Sequence, residues 1–397
     1  MATLQLGKIK LSMPVQLVLL FILFFFLGKH IPVSVKSFIY AISLSIKTVL
    51  IFVLPFIIFS YLFACILSFR KGVVLFISGL FVAVCLSNFI STMAAYFIGF
   101  FCLNEASTIQ LMTDGSTMLT PLWNFKLPRL IPNDVALFSG IACGILFTYF
   151  PNAKAEKAAL VLKSSATHFL NRCFIPLVPL FISGFLLKLE HEDLLASIFK
   201  QYGSIYALIF TTQASYLLLC YLVAAEFNIK EFARYLKNVL PSAITGFSTM
   251  SSAAALPLIL EGAERNTRNE NAARTIVPSA VNIHLIGCNI AIPILAMTIM
   301  VNFGLPLPCP ETYLIFALYF VVAKFAVAAV PAGGVLVMLP VMERHLGFNG
   351  EMLSLITALY IIADAFITTS NVLGNGMFAV AFEKLSRKLG ILKVKTA

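Results

Sequence analysis

Long apolar runs separated by short polar segments set the pattern of this chain. A helix needs about 20 apolar residues to cross the hydrocarbon core of a bilayer. On that measure spans are predicted near residues 12–32, 35–69, 72–103, 132–150, 160–188 and 202–225, several of them long enough to tilt. Beyond 225 the pattern is interrupted. Residues 232–258 run into a Ser/Ala-rich stretch and Pro257, an apolar helix follows at 275–303, residues 312–346 contain Ala329-Val330-Pro331-Ala332-Gly333-Gly334 and Pro340, and a last helix covers 351–382. Broken backbone at membrane depth survives only where protein or a watery cavity surrounds it. Two Gly/Pro-interrupted apolar segments at matching places in two halves point to inverted repeats, with each segment entering and returning on its own side. The plainer alternative is two short ordinary spans.

Composition agrees with the pattern. Of 397 residues, 60% are hydrophobic and 11% charged, and Phe occurs 37 times. An ordinary soluble domain has about 25% charged residues. This chain has too little charge to coat a globule of its size, which excludes a soluble enzyme, a nucleic-acid-binding domain and a disordered protein. It leaves an all-α integral membrane protein with multiple passes.

The basic residues then report orientation. The N-terminus and segments 70–71, 151–163, 226–237, 261–274 and 383–397 hold 18 Lys/Arg and 7 Asp/Glu, and the rest of the chain holds 10 of each. The whole net charge of +11 falls on one face. The positive-inside rule makes that face cytoplasmic, with both termini on it. Lys8 and Lys10 before an apolar run resemble a signal peptide, but no small-residue cleavage site follows, so the run reads as a retained first helix.

Ionisable groups inside apolar helices are costly and usually functional. One acid lies deep in an apolar run: Asp364. Thr368, Asn371 and Asn375 follow it at i+4, i+7 and i+11, on the same helix face. A carboxylate, a hydroxyl and two amides in one line would suit a zwitterion, or would form a polar seam between helices. The other deep ionisable groups are Lys47, Arg172, Lys324, His168 and His284; Lys47 and Arg172 are expected to snorkel to an interface. The eight cysteines form no CxxC pair, so neither zinc nor a disulfide framework is suggested. Walker A, HExxH and GxSxG motifs are absent. Gly140 and Gly144 form a GxxxG suited to close helix packing.

Taken together, these segments resemble the dicarboxylate/amino acid:cation symporter family, which includes the glutamate and aspartate transporters. Gly246-Phe247-Ser248-Thr249-Met250-Ser251-Ser252-Ala253-Ala254-Ala255-Leu256-Pro257 resembles the family's serine-rich first hairpin, and Ala329 to Gly334 its second. Asp364 through Thr368, with Asn371-Val372 and Gly374, resembles the last-helix motif, and Val53-Leu54-Pro55-Phe56 an element of the second span. The resemblance implies eight transmembrane helices, two re-entrant helical hairpins and a homotrimer that works as an elevator. Residues 1–71 would be scaffold helices 1 and 2, 72–104 transport helix 3, 105–201 a loop with scaffold helices 4 and 5, and 202–397 the transport core with hairpins at 232–258 and 312–346. It further implies that Asp364 holds a substrate amino group and Asn371 its carboxylate, with Thr368, Ser251 and Ser252 nearby. Val330, Pro331, Ala332 and Gly333 would form the gate.

Departures from the family pattern bear on coupling. The seventh-span motif N-M-D-G-T reads His284-Leu285-Ile286-Gly287-Cys288, the final acid of the last helix is Asn375, and an earlier acid of some members is Tyr360. Sodium favours hard oxygen ligands, by analogy with other hard cations. Ser91 and Thr92 on the third span keep a fragment of one ion site, and Asn282 and Gly287 complete the ion-coupling candidates. Lys324 is a candidate tethered cation, and His284 or Asp364 a candidate proton carrier. The family arginine that pairs with an acidic side chain is Ile367, so a second substrate carboxylate would be buried without a partner. The expectation is a secondary transporter, not an enzyme, that moves a small and neutral amino acid across the cell membrane. It would use no cofactor beyond a coupling sodium ion or proton. The alternatives are a dicarboxylate or glutamate symporter with an atypical site, and a non-transporting homologue acting as a sensor.

Overall fold

The structure is a computed structural model that describes residues 4–6, 9–11, 13–68, 74–104, 118–128, 130–192, 195–327 and 333–390. It is almost wholly helical. The exception among the described residues is a short two-stranded antiparallel ribbon, β1 (Leu4–Leu6) and β2 (Ile9–Leu11).

The first helices match the apolar runs closely. They are α1 (Met13–Leu27), α2 (Val33–Ser68), α3 (Val74–Asn104) and α4 (Asn133–Tyr149). The expected span at 160–188 is part of a longer rod. Helix α5 (Ala153–Phe169) passes through a π turn (Leu170–Phe174) into α6 (Ile175–His191), and Ile175 N–H donates to Leu170 O, five residues back. Pro176 lacks an N–H for the usual bond, and the wide turn absorbs that loss. Helix α7 (Leu195–Ala224) follows.

The interrupted part of the sequence folds as two helix pairs and a broken helix. The first pair is α8 (Ile229–Thr249) and α9 (Ser252–Asn266), which pack on each other. The pair runs from 229 to 266, beyond the expected 232–258, because Asn238 Nδ2 donates to Asn266 Oδ1 and Asn266 Nδ2 to Tyr235 O near its open end. Its tip turns at Met250, whose φ of 50° lies in the left-handed region. Ser251 caps α9 by accepting from Ala254 N–H at 3.3 Å.

The helix expected at 275–303 is broken into α10 (Glu270–Ala280) and α11 (Ile286–Asn302). The second pair is α12 (Pro310–Ala323), a 3-10 turn (Lys324–Ala326), α13 (Gly333–Leu336) and α14 (Leu339–Leu346), with α12 packed on α14. Helix α15 (Gly350–Lys388) ends the bundle and starts at Asn349, whose side chain accepts from Glu351 and Met352 N–H.

Burial separates the helices into hub and rim. Nearly every residue of α11 is buried, as is most of α15, and α3, α7, α8 and α9 surround them. Helix α3 shows the rim pattern. Val82, Leu86, Ile90, Phe97 and Phe101 are exposed on one face, while Asn88, Ser91 and Thr92 are buried on another. An apolar outside and polar inside reverse the soluble arrangement and match a lipid surround. Among the described residues, five helical stretches are long and apolar enough to cross a membrane: Val33–Leu67, Ser78–Leu103, Ala153–His191, Tyr202–Ala224 and Gly350–Lys388.

Glycines set the closest helix approaches. A Cβ on Gly140 would lie 3.0 Å from Leu62 Cβ and one on Gly144 2.5 Å from Ile66 Cβ, so the GxxxG seats α4 on α2. At one end, Lys188 pairs with Glu351 at 2.7 Å and Lys36 with Glu190 at 2.5 Å. The Lys47 ammonium donates to Gly350 O and to Ser354 Oγ, tying α2 to the start of α15.

Overpacking a tight helix contact costs about 1–3 kcal/mol. Gly144→Val is therefore expected to lower the melting temperature of the purified protein. Gly203→Ala, on α7 with nothing within 4 Å of an added Cβ, should leave it unchanged or raise it by ~0.4–1 kcal/mol of stability.

Candidate functional site

A cavity of about 30 Å³ lies where α9, α11, α15 and the second helix pair converge. Helix α15 supplies Tyr360, Asp364, Thr368 and Asn371; the α10–α11 break supplies Val281, Asn282 and Leu285; and Cys288 follows on α11. Met250 and Ser252 reach it from the first hairpin, and Val327 and Gly334 from the second. At ~10–15 Å³ for each water position, it holds about two waters.

The expected face on α15 is real. Asp364, Thr368, Asn371 and Asn375 are all buried, and the first three line the cavity. Thr368 Oγ1 donates to Asp364 Oδ1 at 3.3 Å, and the Tyr360 hydroxyl, one turn earlier, also hydrogen-bonds Asp364. Asn371 is engaged by α11. Its Oδ1 accepts from Cys288 N–H at 3.2 Å and its Nδ2 donates to Cys288 Sγ at 3.2 Å. Cys288 Sγ also meets Tyr360 OH at 3.1 Å. Tyr360 and Cys288 thus form the cavity wall, which the sequence pattern did not reveal.

Small residues bring the elements this close. A Cβ on Gly334 would lie 2.5 Å from Tyr360 OH and 2.8 Å from Cys288 Sγ. A Cβ on Gly287 would lie 2.2 Å from Ile367 O, so α11 and α15 meet backbone to backbone there. Gly246 and Gly376 let the first hairpin close on α15, against Val372 and Val239.

The other expected residues divide into two groups. Asn282 lies on the cavity wall, with its Oδ1 making no hydrogen bond among the described residues. Ser251 sits at the hairpin tip as the cap of α9. Gly333 starts α13, while Val330, Pro331 and Ala332 lie outside the described residues. His284, Asn375, Ser91, Thr92, Gly287 and Lys324 do not line the cavity. Lys324 is fully buried, with Nζ 4.3 Å from the centre of the Phe320 ring and no hydrogen bond among the described residues. His284 Nε2 meets Ser87 Oγ at 2.8 Å, and its ring packs on Phe378.

A second polar cluster surrounds the α10–α11 break. Asn88 on α3 donates from Nδ2 to Ile283 O at 2.7 Å and accepts at Oδ1 from Leu285 N–H and Asn289 Nδ2. Asn289 Nδ2 also donates to Ser91 Oγ at 3.0 Å. Gln213 Nε2 donates to Gly287 O at 2.9 Å while its Oε1 accepts from Ser370. Asn375 Nδ2 donates to His284 O at 3.1 Å and to Asn371 O at 2.8 Å. Among the described residues, no group of three His, Cys, Asp or Glu side chains is placed to hold a metal ion.

Two helix pairs flanking the Asp364 helix fit the two hairpins that the sequence resemblance implied, while the break between α10 and α11 was not part of that expectation. The chain belongs to the sodium:dicarboxylate symporter family, whose model matches residues 135–385. It is therefore an integral membrane protein of a transporter family, not an enzyme. Its relatives include serine/threonine transporter SstT of Enterococcus faecalis, 22% identical over 338 residues, which is 80% of this chain and 79% of the relative. Excitatory amino acid transporter 3 of Mus musculus is 28% identical over 222 residues, 54% of this chain. Neutral amino acid transporter A of Bos taurus is 29% identical over 168 residues, 42% of this chain and 31% of the relative. The match spans 41% of the length of the mouse transporter, so only part of that protein is compared.

An unsatisfied buried backbone group costs about 1–3 kcal/mol. Asn88→Ala orphans both Ile283 O and Leu285 N–H. It is expected to lower the unfolding free energy by at least ~2 kcal/mol, read as a fall in melting temperature in detergent.

Proposed function

We propose that this protein is a secondary active transporter of a small, neutral amino acid, driven by a cation gradient. One observation carries the reading: among the described residues, the cavity wall holds a single carboxylate, Asp364, and no Lys or Arg. An amino acid's ammonium needs one anion, and Asp364 supplies it, with Asn282 Oδ1 as a further acceptor. The solute carboxylate is met by neutral donors. Asn371 Nδ2 exchanges its weak bond to a thiol for a charge-assisted one, and Ser252 at the start of α9 adds a second partner. Thr368 holds the Asp364 carboxylate in place. A second solute carboxylate would find no cation on this wall, and Ile367 in place of the family arginine is fully buried against other atoms. The names of relatives, one for serine and threonine and one for neutral amino acids, support the same class.

The cavity is too small for any amino acid as it stands. Admitting one requires Gly334 to withdraw from Tyr360 and Cys288, and Val330 to Gly333 are proposed as the gate. In this reading eight helices span the cell membrane, the two helix pairs are re-entrant hairpins, and the basic segments place both termini in the cytoplasm. Residues 1–71 and 105–201 form the scaffold of a homotrimer. Residues 72–104 and 202–397 form the unit that slides as an elevator. Sliding must break the contacts of Lys47 and Lys188 with the start of α15.

Uptake by purified protein in proteoliposomes tests the proposal. Labelled serine, threonine or alanine should be taken up at least about tenfold better than glutamate or succinate, a gap of about 1.4 kcal/mol. The reverse order, or no uptake of any amino acid, would refute it. Asp364→Asn should cut solute affinity by about 30-fold or more, the effect of unpairing a buried charge. Ser252→Ala should cost less than about tenfold.

A further inference from the structure

The family's description implies a coupling sodium ion, and the break between α10 and α11 is where its unpaired backbone carbonyls gather. Those carbonyls are already taken. Asn375 Nδ2 sits between His284 O on the break and Asn371 O on α15, donating to both. Asn289 Nδ2 likewise sits between Asn88 Oδ1 and Ser91 Oγ, pulling α3 onto α11. Ile283 O receives the Asn88 amide. In each case an NH2 group joins two oxygens, or holds one exposed by the break, and binds as a small cation would bind, without net charge.

The orientation of these amides follows from chemistry. Turning Asn375 around would press its Oδ1 against two carbonyl oxygens and move its NH2 to a spot where Oδ1 now finds no donor among the described residues. Turning Asn289 around would press its Oδ1 against Asn88 Oδ1, and its own Oδ1 is also unpartnered among the described residues and buried. Among the described residues, no carboxylate bonds to either amide to offset a monovalent ion's loss of water.

We infer that the amide NH2 groups of Asn375 and Asn289 are built-in replacements for sodium, so that the broken helix is locked in its binding shape without that ion. For its consequence this rests on the transporter reading: coupling, where present, runs through another ion. The geometry does not depend on that reading.

The test uses unfolding and no solute, so failure of the transport proposal leaves it intact. Melting of the purified full-length protein is followed in about 150 mM NaCl and in choline chloride at the same ionic strength. The wild-type protein should melt at the same temperature in both. Asn375→Asp replaces the donor by an acceptor, leaving three oxygens facing one another. This variant should melt lower in choline and regain about 4 °C or more in sodium at about pH 8. Asn289→Asp serves as the second variant, with Asn88 Oδ1 and Ser91 Oγ as the other oxygens. A saturable, sodium-specific stabilisation of the wild-type protein overturns the inference. So does a folded Asn375→Asp or Asn289→Asp variant that ignores sodium from about pH 6 to 9.

Discussion

A helix that breaks inside a membrane must find partners for the backbone groups it exposes, and this fold is organised around that need. Between Ala280 and Ile286 the chain leaves helical geometry with buried residues on either side. Water is not available at that depth to take the freed carbonyls. Asn88 from α3 and Asn375 from α15 take them, and Gln213 from α7 braces the following turn at Gly287. Gln213 also accepts from Ser370 on α15 and Asn88 also holds Asn289 on α11, while the second bond of Asn375 returns to Asn371 O on its own helix. The break is therefore the point at which α3, α7, α11 and α15 are fastened together.

The cavity exists because of this junction. With α11 starting at Ile286, Cys288 lands opposite Asn371 and Tyr360, and Asn282 and Asp364 both line the cavity. The two helix pairs then close the ends, the first through Met250 and Ser252 and the second through Gly334. Glycine is required at Gly287 and Gly334 because a side chain at either would strike Ile367 O or Tyr360 OH. Asp364 sits in a wall of neutral groups, bonded by Thr368 and Tyr360 from its own helix. In the proposed reading this wall favours a solute that brings one positive charge, because its described residues offer no cation to a second negative one.

On the inference drawn above, the same residues take the place of the sodium named in the family's description. Where oxygen ligands would face an ion, amide nitrogens face oxygens. The sequence shows the substitutions as lost acids at Ile286 and Asn375. At Asn375 the fold places an amide donor against His284 O and Asn371 O.

The sequence alone was enough for the spans and the face. Apolar runs of membrane length place the helices, because the bilayer sets their length whatever packs beside them. The spacing of Asp364, Thr368, Asn371 and Asn375 places them on one line, because helical period is a local property. It also pointed to the two interrupted segments and to the close approach at Gly140 and Gly144. It did not show that helix 275–303 is broken, since its apolar run continues through the break and local hydrophobicity is blind to a missing backbone bond. Nor did it separate Asn282, on the cavity wall, from His284 two residues on, which turns away toward Ser87 and Phe378. The partnerships of Asn88 with Asn289, and of Cys288 with Asn371, join residues 201 and 83 positions apart. Such contacts follow from how helices dock. Docking depends on side-chain shape and glycine placement across several elements at once, and only the tertiary structure decides it.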